Sequence, residues 1–137
     1  MEDNSNEEGW TPLTLSAHVQ NFEIAKFLLE SGANPVKSKN NGMNLFHLAA
    51  ANNDVRLLEL ALNQERHYTV DMLTEDGWTP AHNAAFMNNF DSLNLMMENG
   101  ADLSLQNKSD MNAFECLIRN DHHELLEVLL PQALKYH

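Results

Sequence analysis

The chain is 137 residues long, 43% hydrophobic and 20% charged, with 20 acidic side chains against 8 basic ones. That length suits one compact domain or one short repeat array with enough apolar material for a core. A formal charge of -12 repels a phosphate backbone, which argues against nucleic acid and anionic membrane surfaces as partners.

The first twenty residues are acidic and polar, where a secretory signal would need a basic start and an apolar run. Within them, Gly9-Trp10-Thr11-Pro12-Leu13 opens a helix. The Thr11 side chain can accept from an unpaired amide, and Pro12 fits the first helical position, where no donor is needed. This helix is predicted to end near Val19, and its small residues Ser16 and Ala17 permit close approach of a neighbour. Gln20-Asn21 marks a turn. Ile24, Phe27 and Leu28 then recur at helical spacing until Gly32, which suits a left-handed helix end.

A second unit opens at Gly42-Met43-Asn44-Leu45-Phe46-His47-Leu48-Ala49-Ala50. Its first helix is predicted to about Asn52, its turn at Asn52-Asn53-Asp54, and its second helix through Leu57, Leu58 and Leu62. Gly77-Trp78-Thr79-Pro80-Ala81 repeats the opening motif 68 residues after the first copy, close to two periods of about 33. Thr79 and Pro80 again cap a helix, which carries Ala84-Ala85 and ends near Met87. Asn88-Asn89 turns the chain into a second helix marked by Leu93, Met96 and Met97 and closed by Gly100. An eroded fourth copy starts 33 residues after Gly77, as Asp110-Met111-Asn112-Ala113-Phe114-Glu115-Cys116-Leu117-Ile118. It turns at Asn120-Asp121 and continues through Leu125, Leu126 and Leu129. No single helix pair of this size buries its apolar face alone, so the units must stack.

The recurring pattern of Gly-x-Thr-Pro-Leu-His-x-Ala-Ala, a second helix ending Leu-Leu, and then Gly-Ala-Asp resembles the ankyrin repeat. The third unit is nearest, through Thr79, Pro80, His82, Ala84, Ala85 and Gly100-Ala101-Asp102. The first departs at Thr14, where the family has His, and the second replaces Thr-Pro with Asn44-Leu45. The fourth lacks the Gly, Thr, Pro and His. The resemblance covers roughly residues 6 to 130 and implies an all-α ankyrin-repeat solenoid of helix-turn-helix units joined by β-turn or hairpin fingers. One domain, 1–137, would hold repeats at about 6–38, 39–73, 74–106 and 107–137. From Gly42 to Gly77 is 35 residues, which places two extra residues between Asn63 and His67. A tolerated surface insertion is favoured over a dedicated recognition loop, since loops accept length changes cheaply.

Chemistry is sparse. Cys116, the single cysteine, cannot form an internal disulfide and lacks thiolate zinc spacing, so the chain reads as intracellular. It falls on a predicted helix among Phe114, Leu117 and Ile118, as a buried inert thiol would. His122-His123 are adjacent, so their rings point to different helix faces and make no zinc pair. For His47 and His82 the resemblance implies a structural hydrogen bond between neighbouring units. No Gly-rich phosphate loop, nucleophile elbow or paired metal motif occurs. The expectation is a non-enzyme without cofactor or metal, and no apolar stretch reaches the roughly eighteen residues of a membrane span.

Surface positions are then the candidates for function. In the family, fingers and first helices form a concave wall that contacts a protein partner. The residue after the repeat glycine belongs to that wall and reads Trp10, Met43, Trp78, Met111, an apolar stripe. Groove-facing positions on the first helices read His18-Val19, Ala51-Asn52, Phe86-Met87 and Arg119-Asn120. The third unit thus gathers Trp78, Phe86 and Met87, the residue types of binding hot spots. The alternative is that each Trp covers its own finger and Phe86 packs between units. Glu7-Glu8 and Glu75-Asp76 occupy finger tips, with Asn40-Asn41 and Lys108-Ser109 at the other two, and no Lys or Arg lies between His67 and Asn107. Acidic rims would favour a partner segment carrying a basic residue beside an apolar anchor; acidity that only aids solubility is the other reading.

Glu115, Arg119, Asp121 and Glu124 give the fourth unit the polar character of a cap, whereas Phe22, Ile24 and Phe27 have no polar replacement in the first. The tandem pairs Asn40-Asn41, Asn52-Asn53 and Asn88-Asn89 fall in turns, where a local structural role is expected. Taken together, a monomeric array binding another protein on its concave face is expected, as a free-standing adaptor or inhibitor. The alternative is a regulatory or targeting segment of a larger enzyme or channel.

Overall fold

The structure is a computed structural model that describes residues 9–37, 41–64, 70–122, 124–125, 127–128 and 131. Seven helices follow in chain order among them: α1 Pro12–His18, α2 Phe22–Glu30, α3 Leu45–Ala51, α4 Val55–Leu62, α5 Pro80–Phe86, α6 Phe90–Glu98 and α7 Ala113–Arg119. The described residues contain no strand. Residues 124, 125, 127, 128 and 131 are also helical, where the second helix of the fourth unit is expected. Leu126, Leu129, His123, Glu7-Glu8 and Asn40 lie outside the described residues, as do the unit bounds at 6, 38 and 39 and most of the insertion up to His67.

Each first helix begins on a capping box. Thr11 Oγ1 accepts from the Thr14 amide at 3.1 Å and Thr79 Oγ1 from the His82 amide at 3.2 Å. In the units that lack Thr-Pro, Asn44 accepts from Phe46 N and Asn112 from Glu115 N, each at 2.9 Å. These two departures from the repeat pattern therefore exchange one good cap for another. The helices stop one residue before the pattern suggests, because Val19, Asn52, Met87 and Asn120 serve as C-caps. The turns that follow need a left-handed residue, and Gln20, Asn53, Asn88 and Asp121 supply it with φ of 60°, 53°, 60° and 59°.

α1, α3, α5 and α7 pack successively in one layer, and α2, α4 and α6 in a second. Ala17, Ala49, Ala50, Ala84 and Ala85 are sealed on the first-layer helices, and Leu57, Leu58, Leu93 and Met96 are sealed on α4 and α6 of the second. A fully buried Leu or Met of this kind contributes about 2 kcal/mol. At the outer side of the first unit, Ile24 and Phe27 remain open, Phe27 being 67% exposed. Leu57, which occupies in α4 the place that Ile24 holds in α2, is fully buried.

Polar links hold neighbouring units in register. His47 Nδ1 accepts from Asn44 N at 3.3 Å, so its proton sits on Nε2, which donates to Met72 O at 2.9 Å and Trp78 O at 3.0 Å. His82 does the same with Thr79 N at 3.1 Å and Met111 O at 2.9 Å. Burial holds His47 at about 4, far below 6.5, against the opposing pull of its carbonyl partners, and lowers His82 in the same way. The inter-unit bond implied for both histidines is thus present. Thr14 cannot reach so far, and its hydroxyl donates back to Thr11 O at 3.1 Å.

The asparagine turns do more than local work. Asn52 Nδ2 donates to Ala17 O at 3.3 Å, Asn89 Nδ2 donates to Ala50 O and Ala51 O at 2.8 Å each, and Ser92 Oγ donates to Asn53 Oδ1 at 2.7 Å. The first three add an inter-unit donor to carbonyls at the ends of α1 and α3, and the last ties α6 to the turn after α3. His122 takes the place of Asn89 in the last unit, its Nε2 lying 3.2 Å from Phe86 O.

Fingers join the units as hairpin-like turns. Thr74 N donates to Trp78 O and Asn107 N to Met111 O, both at 2.9 Å. Successive fingers touch through Glu75 N to Asn41 O at 2.8 Å and Lys108 N to Asp76 O at 3.0 Å. Gly42 is required at this contact: it takes φ 86°, and a Cβ there would meet Glu75 N at 2.8 Å.

Candidate functional site

The fingers enter the N-termini of the first-layer helices, and the last turns of those helices come back beneath them. Trp10 packs on His18 with ring centroids 5.0 Å apart, and Trp78 meets Phe86 edge-on at 5.5 Å and His82 at 5.8 Å. His18 and Phe86 each lie eight residues after their tryptophan, about two helical turns past the finger, and His82 lies four after Trp78. Trp10, Met43 and Met111 are half-buried against the core, so the stripe is anchored in the protein along one side. In the third unit the apolar surface stays open: Phe86 is 42% exposed and Met87, the C-cap of α5, 53%.

A cleft of about 280 Å³ lies between the second and third fingers, lined by Asn41, Met43, Thr74, Asp76, Trp78, Asn83 and Phe86. Of the residues the sequence singles out, the structure brings Met43, Trp78, Phe86 and Asp76 to this one cleft. Glu75 is exposed beside it, its amide committed to Asn41 O. Met87 borders the same side without lining the cleft, His18 and Trp10 form a separate pair on the first unit, and Met111 belongs to the fourth finger. Asp76 forms no ion pair with any described residue; Lys26 and Glu30 on α2, at 4.0 Å, make the one found among them.

Sequence reasoning missed Asn83. It is the fourth residue of α5, and the matching residues of α1, α3 and α7 are Leu15, Leu48 and Cys116. Its Oδ1 is buried without a hydrogen-bond partner. The signal was readable in the aligned units as one polar residue in an otherwise apolar column.

Nothing in the described residues gathers three or more His, Cys, Asp or Glu side chains around a metal position. Cys116 is fully buried, and desolvation pushes its thiol up to about 11, which keeps it protonated and unreactive. Among the described residues no helix is long and apolar enough to cross a membrane.

The family description "Ankyrin repeats (3 copies)" matches residues 46–136, and "Ankyrin repeats (many copies)" matches residues 17–62. The chain is 30% identical over 122 residues to the nuclear factor NF-kappa-B p105 subunit of Gallus gallus, covering 88% of the chain and 12% of that protein. It is 32% identical over 124 residues to SH3 and multiple ankyrin repeat domains protein 2 of Homo sapiens, covering 90% and 7%. Over 77 residues it is 40% identical to neurogenic locus notch homolog protein 4 of Homo sapiens, covering 56% and 4%. The chain therefore spans only a small part of the length of these relatives. With capped helix pairs stacked in two layers, histidines bridging successive units and repeat patterns matched along its length, the chain belongs to the ankyrin repeat family, a non-catalytic fold that mediates protein–protein interaction.

Proposed function

We propose that the array binds a partner protein along its concave face, inside the cell, as an adaptor or inhibitor. The third unit is the centre of that surface, with Trp78, Phe86 and Met87 as anchors, Met43 as neighbour and Glu75 and Asp76 as an acidic rim. Trp10, His18 and Met111 extend the surface to either side. The observation that carries this reading is the open aromatic and methionine surface beside the interfinger cleft, since exposed apolar area next to a preformed concavity is costly to leave wet. The chain's net charge of -12 favours a partner segment with a basic residue next to an apolar one.

A second reading, a regulatory or targeting segment of a larger enzyme or channel, is favoured by the match covering only 12% and 7% of the length of two relatives. Coding sequence continuing past His137 would select it. The binding surface is tested by capture from the source cell with wild type and a Trp78→Ala, Phe86→Ala double variant first shown to be folded. The expected outcome is selective loss of one or a few proteins from the variant. Recovery of the same set by both baits refutes the third-unit surface.

A further inference from the structure

We infer that the cleft between the second and third fingers takes a single arginine side chain of the partner, its stem against Trp78, Phe86 and Met43 and its guanidinium donating to Asp76 and Asn83. This inference rests on the groove reading above and names the group that the groove selects. Three independent observations converge on it. The walls are flat and apolar, with Trp78 and Phe86 set edge to face at 5.5 Å, a surface on which a planar guanidinium stacks favourably. The polar groups at the cleft include two uncommitted acceptors: the Asp76 carboxylate, which no described cation neutralises, and Asn83 Oδ1, which accepts nothing. Burying an amide oxygen without a donor is unfavourable. The other units keep this column apolar with Leu15, Leu48 and Cys116, so stacking does not call for asparagine here. The terminal torsion of an asparagine is soft, and its rotation turns Oδ1 toward the cleft when a donor arrives.

The test uses the whole chain, isotopically labelled, titrated with N-acetyl-arginine amide and with N-acetyl-citrulline amide, which has the same shape without the charge. The arginine probe is expected to shift the Trp78 indole resonance saturably, and the citrulline probe is not. Asp76→Asn and Asn83→Leu should each weaken arginine binding about tenfold, as removal of a hydrogen bond to a charged group does. Asn83→Ala repeats the measurement should Asn83→Leu disturb the helix. Equal binding of both probes, absence of a saturable shift at Trp78, or undiminished affinity in the Asp76 and Asn83 variants overturns the inference. If the Trp78, Phe86 double variant still loses its partner while arginine fails to bind, the groove stands and only the arginine assignment falls.

Discussion

Protonation of His47 should act directly on the joint between the second and third units. In the native chain this ring is buried and neutral, with its pKa lowered to about 4 from 6.5. The unfolded chain takes up a proton near the ordinary value, so below that pH the unfolded state binds a proton that the native state refuses. Stability from this source is complete above pH 6.5, declines as the pH falls, and stops declining near pH 4, where the native ring also titrates. A shift of this size corresponds to roughly 3 kcal/mol across the window, a large share of the total for a chain of this length. Urea unfolding from about pH 7.5 to about pH 4.5 measures it, with His47→Gln as the reference because every carboxylate and His82 remain in both proteins. Between those limits the wild type should lose stability more steeply than the variant, by up to about 1.4 kcal/mol per pH unit. Parallel slopes would refute the claim that this histidine is buried neutral between units.

Two further substitutions separate contact from conformation. Ala at Gly32 or Gly42 must adopt a left-handed backbone, at about 1–2 kcal/mol, yet only at Gly42 does the new Cβ meet backbone, with Thr74 Cα at 2.9 Å, whereas nothing lies within 4 Å of Gly32. Gly42→Ala should therefore cost about 1–3 kcal/mol more than Gly32→Ala in chemical denaturation, and equal costs would remove the finger-contact argument. Cys116, buried and with its thiol raised to about 11, should react with a thiol reagent only as fast as the chain opens. Rapid labelling of folded protein near neutral pH would contradict that placement.

The architecture was legible because its signals are local and repeated: Thr11, Thr79 and their prolines start helices, Gly32 and Gly100 end them, and the spacing of glycines sets the period. Beyond the histidine bridges that the resemblance implies, the sequence hid the asparagine bonds between units, whose partners lie 35 to 39 residues apart. Asn89 reads as a turn residue, and only the stacked geometry brings its amide to Ala50 O and Ala51 O. Asn44 and Asn112 look like erosion of a motif because the pattern records residue names, whereas the helix end requires only a side-chain acceptor. The surface was half legible. Trp78, Phe86 and Met43 are placed together as the register implies, but the depth of each side chain depends on packing, and Glu75 and Asp76 part company because the finger turns only Asp76 to the cleft. Asn83 lies outside the columns that the register assigns to the groove, and the burial of its unpaired Oδ1 follows only from packing.

Site-specific photo-crosslinking in the source cell tests the proposed concave-face binding most directly. A benzophenone amino acid placed at Met87, at the exposed end of α5, samples the groove, and the same group at Asn94 on α6 samples the second layer. The account predicts a discrete protein adduct from position 87 that disappears when Trp78→Ala and Phe86→Ala are added, with none from position 94. Adducts from position 94 and none from position 87 would place the working surface on the opposite side of the array.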